Sequence, residues 1–376
     1  MQRTIKKIPV ARPFFGGDEV RFVKDAVSAG EISGTFGKYI SQFECDFASY
    51  CGVKYGISTN NGTTALHVAI AALGVGPGDE VLVPTLTNMA TVFAVCYTGA
   101  KPVAIDIEGD TWNVDSRLLE GKITTKTKAI IVVHIFGHPV NMDPVMEIAR
   151  KHNLFVVEDC AQAHGAEYKG RRVGSFGDLA CFSFYANKIL TTGEGGMVVT
   201  DSEELAGKVR SLHSLSYGRG QHKFMHEAVG FNYRMSNVIA ALGCAQLGHI
   251  NKVLQMKREM ASFYTNALVE ISTLQLPIER DYAKNVFWMY QVVLIGSAGG
   301  RREKITGVLK DHGIETRDSF VPFNQQQIFL RDRIVSQDEC PVANYVGENG
   351  FYLPSGPVFH PGEQEYVVKA VRNALS

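Results

Sequence analysis

Between residue 55 and about residue 200 the chain alternates short, continuously apolar runs with stretches of helical pattern. The runs are Tyr55–Thr59, Glu80–Val83, Pro102–Asp106, Ala129–His134, Leu154–Glu158, Ala180–Phe184 and Gly196–Thr200. A run apolar at nearly every position, rather than at every second one, predicts a strand covered on both faces. The pattern therefore predicts an α/β sandwich around a mainly parallel sheet. Between the strands, Asp143–His152 reads as an amphipathic helix with Pro144 in its first turn.

After about residue 235 the character changes. Asn237–Leu254 and Gln255–Ile271 predict two long helices, the second rich in charge. Beyond them Met289–Ile295 predicts a strand, and Arg302–His312 and Glu363–Leu375 predict helices. The expected division is a large domain over 1–250, including the N-terminal segment, and a small C-terminal α/β domain over 251–376.

Composition narrows the function classes. With 376 residues and 45% hydrophobic content, the chain can bury a sizeable core. Basic and acidic side chains balance at 38 each, so no global field points to nucleic acid or to an anionic membrane. The 7 cysteines are odd in number and scattered, without a C-x-x-C pair, which fits a reducing compartment better than a disulfide frame or a zinc site. The N-terminus lacks the apolar centre of a signal peptide, and the longest apolar run, around Ala129–Val133, is too short to cross a bilayer. The expectation is a cytoplasmic protein without a nucleic-acid, membrane or metal partner.

The chemistry sits at strand ends. Val156-Val-Glu-Asp159-Cys-Ala-Gln162-Ala-His164 is an apolar strand ending in an acid. Phe182-Ser183-Phe-Tyr-Ala-Asn-Lys188, followed by Thr191-Thr-Gly-Glu-Gly-Gly196, is a second strand that delivers a lysine. This combination suits pyridoxal phosphate: the acid holds the pyridinium proton and the lysine forms the Schiff base. Taken singly, a lysine near glycines is ordinarily a solvated loop residue, and an aspartate at a strand end is ordinarily a turn former or cap. Asn61-Gly62-Thr63-Thr64-Ala65-Leu66 is a glycine-containing turn opening an apolar helix. Its first N–H groups suit a phosphate, with the Thr63 hydroxyl beside them; the plain alternative is a helix cap.

These segments, together with Gly174-Ser-Phe-Gly-Asp178, Gly193-Glu-Gly-Gly196 and Gly230-Phe-Asn232-Tyr-Arg234-Met, resemble the DegT/DnrJ/EryC1/StrS family of pyridoxal phosphate-dependent sugar aminotransferases. The resemblance covers nearly the whole chain. Gly137-His-Pro-Val-Asn-Met-Asp143 and Phe182–Lys188 are most similar to the family's GDP-perosamine synthase branch. What the resemblance implies is a fold-type I, aspartate aminotransferase-like α/β protein. It would have a seven-stranded mixed, mostly parallel sheet, a small C-terminal domain and a homodimer (or tetramer) with shared active sites. Lys188 would be the catalytic lysine and Asp159 the partner of the pyridinium nitrogen. Gln162 would contact the ring's phenolic oxygen. Gly62, Thr63 and Ser183 would hold the phosphate, and Asn232 would reach it from the other subunit. L-Glutamate would donate the amine, and a nucleotide-linked 4-keto-6-deoxyhexose would accept it, GDP-4-keto-6-deoxymannose being favoured. Other nucleotide keto sugars, a dehydratase and a non-catalytic regulatory relative are the alternatives. An intact Lys188 stands against the last two.

Two positions depart from the family's pattern. Asn88 stands where relatives usually place an aromatic ring against the pyridine, and Asn324 where a histidine is common near the sugar. His164, Arg317 and Asn324 are the expected substrate contacts, with His213 and His226 as further candidates. A lone histidine, however, is more often a hydrogen-bonded structural residue.

Overall fold

The computed structural model describes residues 7–217, 224–336 and 339–375. Seven strands make the principal sheet: β1 (Tyr55–Thr59), β2 (Glu80–Pro84), β3 (Lys101–Ile105), β4 (Thr127–Val133), β5 (Phe155–Asp159), β6 (Leu179–Ser183) and β7 (Gly196–Thr200). They lie in the order β1-β7-β6-β5-β4-β2-β3. All neighbours are parallel except around β7, which runs antiparallel to both β1 and β6. The apolar runs are continuous because helices cover both faces. Ile131 and Val133 enter the main core, whereas Ile130 and Val132 pack with Met142, Val145 and Ala149 of the helix Met142–His152 on the other side.

This topology fixes where chemistry can occur. The carboxyl ends of β1, β2, β4, β5 and β6 open on one edge of the sheet, the usual location of ligand sites in open α/β sheets. Asp159 and Ser183 are the last residues of β5 and β6, and the helix Gly62–Ala72 starts just after β1.

A four-stranded antiparallel sheet organises the C-terminal region, in the order Leu274–Gln275, Tyr290–Leu294, Gly350–Leu353, Arg317–Asp318. Its core joins Tyr290, Val292 and Leu294 to Tyr264, Ile305, Leu309, Val367 and Val371. The long helix before it differs from expectation in its break. The helices are Asn237–Gly248 and Ile250–Leu268, interrupted at Gly248–His249 rather than after Leu254.

Segments on either side of residue 250 are interleaved. Ile8 packs in the C-terminal core and bridges Ile314. Conversely, Ala283–Lys284 pairs with Glu167–Tyr168, and Phe323, Phe329, Ala343 and Val346 join the core of the large sheet. Asp106, just past β3, accepts the N–H groups of Val342 and Ala343 at 3.0 and 2.9 Å, capping the helix Pro341–Asn349 from across the molecule. No helix among the described residues is long and apolar enough to cross a membrane.

Candidate active site

At the carboxyl edge of the sheet lies a cavity of about 190 Å³. Gly62, Thr63, Asn88, Thr91, Asp159, Gln162, Ser183 and Lys188 are among its walls. Each owes its place to local structure. Asn61 caps the helix Gly62–Ala72 by accepting the Thr64 N–H at 2.9 Å. The N–H groups of Gly62 and Thr63 therefore belong to the unpaired first turn at the positive end of the helix. A side chain at Gly62 is excluded, because its Cβ would stand 2.6 Å from Ser183 Cβ. Glycine here lets the helix start and the end of β6 converge into an anion cradle.

Asp159 is 5% exposed and twice bonded: Thr91 Oγ1 donates to its Oδ2 at 2.7 Å and the Ala161 N–H to its Oδ1 at 3.0 Å. Burial pushes its carboxyl pKa up, while Thr91, Ala161 and the charge of Lys188 pull it back. Such an acid is suited to a buried cationic N–H. Gln162 accepts the Phe136 N–H on Oε1 at 2.7 Å, which leaves its NH₂ group as the donor at the cavity wall.

Lys188 follows β6 through a turn closed by its N–H to the Tyr185 carbonyl at 2.9 Å. Burial brings its amine pKa down to about 8, against a smaller upward pull from Asp159. Its Nζ lies 4.0 Å from the centre of the Trp288 ring. Among the described residues it has no ion-pair partner, so the amine is available for reaction.

Of the remaining expected residues, all but Asn88 fall outside this cavity. His164 is fully buried among Phe47, Phe182 and Phe184, with both ring nitrogens unbonded and its pKa lowered to about 3 by burial. It sits in the core as a neutral residue, shut off from the cavity by aromatic rings. Asn324 is also buried, accepting from Thr85 Oγ1 at 2.8 Å and donating to Asn344 Oδ1 at 3.0 Å. It ties the loop after β2 to the helix Pro341–Asn349 instead of facing a ligand. Arg317 is exposed, paired with Glu315 at 2.6 Å, and lines a separate groove with Lys7 and Lys310. Asn232 is exposed and bridges to Ser214. His213 and His226 bond the carbonyls of Arg210 and Leu215. Asn88 lies on the cavity wall, where its Oδ1 caps the helix Met89–Tyr97 through the Ala90 N–H at 3.0 Å. An aromatic side chain cannot supply that cap.

Sequence reasoning missed Thr91 and Trp288. Thr91 carried a usable signal, since a hydroxyl one turn into the helix after a central strand points toward the same edge as Asp159. Trp288 carried none, because it reaches Lys188 only through the tertiary fold.

The DegT/DnrJ/EryC1/StrS aminotransferase family model matches residues 15–372. The chain belongs to this family. It is 40% identical to the GDP-perosamine synthase of Caulobacter vibrioides, over 99% of both chains. Among solved structures, DesV of Streptomyces venezuelae in complex with a ketimine intermediate superposes with a TM-score of 0.89 at 33% identity, covering 96% of this chain and 94% of that one. Spr1654 of Streptococcus pneumoniae, solved in PLP and PMP forms, gives 0.93 at 26% identity, covering 98% of each chain. The protein is an enzyme of the transaminase class and its cofactor is pyridoxal 5'-phosphate. The cradle at Gly62, the buried acid Asp159 and the free amine of Lys188 fit that group.

Proposed function

We propose that this enzyme transfers the amino group of L-glutamate to a nucleotide-linked 4-keto-6-deoxyhexose, GDP-4-keto-6-deoxymannose, giving GDP-perosamine. The observation that carries the chemistry is the convergence of Lys188, Asp159 and the Gly62–Thr63–Ser183 cradle on one cavity. The choice of sugar is supported by the 40% identity to the Caulobacter vibrioides synthase over 99% of both chains.

The cofactor, when bound, supplies an electron sink that makes the α-proton of the donor amino acid labile. The chain's own residues do the rest. Gly62, Thr63 and Ser183 would hold the phosphate through the helix terminus and hydroxyls. Asp159 would hold the proton of the ring nitrogen, and Gln162, whose NH₂ group is left free to donate at the cavity wall, would contact the ring's phenolic oxygen. Lys188 Nζ, with its pKa brought down to about 8, is neutral often enough near neutral pH to take a proton and return it.

The enzyme would act as a cytoplasmic homodimer, supplying a precursor for surface polysaccharide. An exposed apolar groove lined by Phe15, Val20 and Val27 supports association. Asn232, exposed and outside the cavity, would reach the phosphate of the partner subunit's site. Arg317 would meet the nucleotide sugar from its own groove.

The test is a visible absorbance titration of the cofactor-loaded protein with L-glutamate, followed by a panel of nucleotide keto sugars. The band should fall with glutamate and return with the GDP-linked sugar; a band indifferent to glutamate sinks the proposal. Lys188→Ala should abolish both the band and turnover.

A further inference from the structure

Behind Lys188 lies a second, minute cavity of about 10 Å³, closed on the far side by Lys257 of the helix Ile250–Leu268. Lys257 is 2% exposed, and among the described residues no acid pairs with it. Its Nζ donates to the main-chain carbonyl of Trp288 at 2.8 Å and to that of Ser355. The other charged groups on this void are Lys188 and Arg12, and Arg12 is paired with Glu363. Burying an ammonium group without a counter-charge is costly, and burial alone brings the Lys257 pKa down to about 7.

What Lys257 holds is the residue covering Lys188. The Trp288 ring lies against Lys188 Nζ at 4.0 Å, and its indole N–H donates to the carbonyl of Asn187, next to Lys188, at 2.9 Å. Trp288 is thus fixed at both ends, its backbone by Lys257 and its ring by the lysine loop. Ser355 belongs to the same assembly, because its hydroxyl accepts the Tyr290 N–H at 2.8 Å.

We propose that Lys257 is a positioning residue for Lys188: by pinning the carbonyls of Trp288 and Ser355 it keeps the indole against the Lys188 amine and water away from it. This rests on the reading of Lys188 as the reactive amine. Trp288 has opposing effects on that amine. The ring face favours its charged form, while exclusion of water disfavours it. Burial dominates the downward shift of Lys188, so loosening Trp288 raises the pKa of the amine.

The experiment compares wild type, Lys257→Met, Trp288→Leu and the double variant, all as the full chain. One readout is the rate at which an amine-reactive reagent modifies Lys188 in cofactor-free protein as pH is varied, followed by mass spectrometry of the Lys188 peptide. The second is the pH midpoint of the visible band in cofactor-loaded protein. Each single variant should raise the Lys188 midpoint by about one unit. The double variant should move no further than either single one, since both act through the same ring. A folded Lys257→Met protein with the wild-type midpoint overturns the proposal, as do shifts that add in the double variant. If Lys257→Met does not fold, Lys257→Gln, which retains a donor for one carbonyl, is read in the same way. An unmoved midpoint in Trp288→Leu also overturns it. Uptake of cofactor at Lys188 is scored separately, by protection of that peptide from the reagent. Its absence would sink the functional reading while leaving the amine titration interpretable.

Discussion

Thr91 donates its hydroxyl hydrogen to Oδ2 of Asp159 at 2.7 Å, and both side chains are buried. The bond fixes the carboxylate at the carboxyl edge of β5 and opposes the upward push that burial exerts on its pKa. Thr91→Val keeps the shape and removes the donor. A hydrogen bond to a charged group contributes about 1.5–3 kcal/mol, so cofactor affinity should fall about 10-fold or more. The Asp159 carboxyl should also protonate at higher pH, which moves the acid limb of the kcat/KM profile upward. Cofactor titration and that profile check both effects. Unchanged values would remove Thr91 from the site.

Glu158 precedes Asp159 and points to the other face of the sheet, where it organises the turn Gly174–Gly177 and the buried His134. It accepts the N–H groups of Gly174, Phe176 and Gly177 at 2.8, 2.7 and 2.8 Å, and faces His134 Nε2 at 3.1 Å. His134 accepts the Val140 N–H on Nδ1 at 3.0 Å, so its proton sits on Nε2. Cys160 lies close by, but the ligand atoms of His134 and Glu158 are already committed to hydrogen bonds. Burial alone would raise the Glu158 pKa, yet His134 and the N–H groups of Gly174 and Gly177 outweigh it and hold it below the usual value. A lowered carboxyl pKa means stability that is present above the unfolded-state value, about 4.3, and lost as pH falls through the folded one. Glu158→Gln should cost about 3 kcal/mol at neutral pH and flatten the loss of stability in acid. Denaturant unfolding at pH 7 and pH 4 measures both.

His164 tests the limits of motif reading. It follows Asp159 and Gln162 in one short segment, yet the chain turns it into the aromatic core. Its two unbonded ring nitrogens are a cost of burial, which an apolar side chain of similar volume does not incur. His164→Leu should leave KM for both substrates unchanged and stability equal or higher by about 1 kcal/mol. A KM raised several-fold in steady-state assays would return His164 to the substrate site.

The sheet and the groups that converge on the cavity were legible because each is a local signal. Strands covered on both faces show as unbroken apolar runs, and Asp159, Ser183 and Lys188 end or follow such runs. Asn324, Trp288 and Lys257 carry no local signature. Their partners are Thr85, Lys188, Trp288 and Ser355, distant in sequence and joined only by packing of the C-terminal region against the large sheet. The three short strands at Glu167, Arg171 and Ala283 were missed for a related reason: two residues are too few to set a period. Asn88 was legible as a departure from an aromatic pattern, but its use as a helix cap emerged only with the Ala90 bond.

Lys257 also makes a prediction about stability. Its pKa is about 7 when folded and about 10.4 when unfolded. Between those values the unfolded chain binds a proton that the folded chain does not, so unfolding free energy rises with pH across that window. The limiting slope is about 1.4 kcal/mol per pH unit, and below about pH 7 the full penalty for burying the charge is present. Neutralisation does not forfeit the contacts, since a neutral amine still has two N–H donors for the Trp288 and Ser355 carbonyls. Other groups titrate in the same range, buried thiols among them, so the informative quantity is the difference between wild type and Lys257→Met. That difference should shift in favour of wild type from pH 7 to pH 9.5 in urea unfolding at constant ionic strength. A pH-independent difference would mean that Lys257 keeps an ordinary lysine pKa in the folded protein.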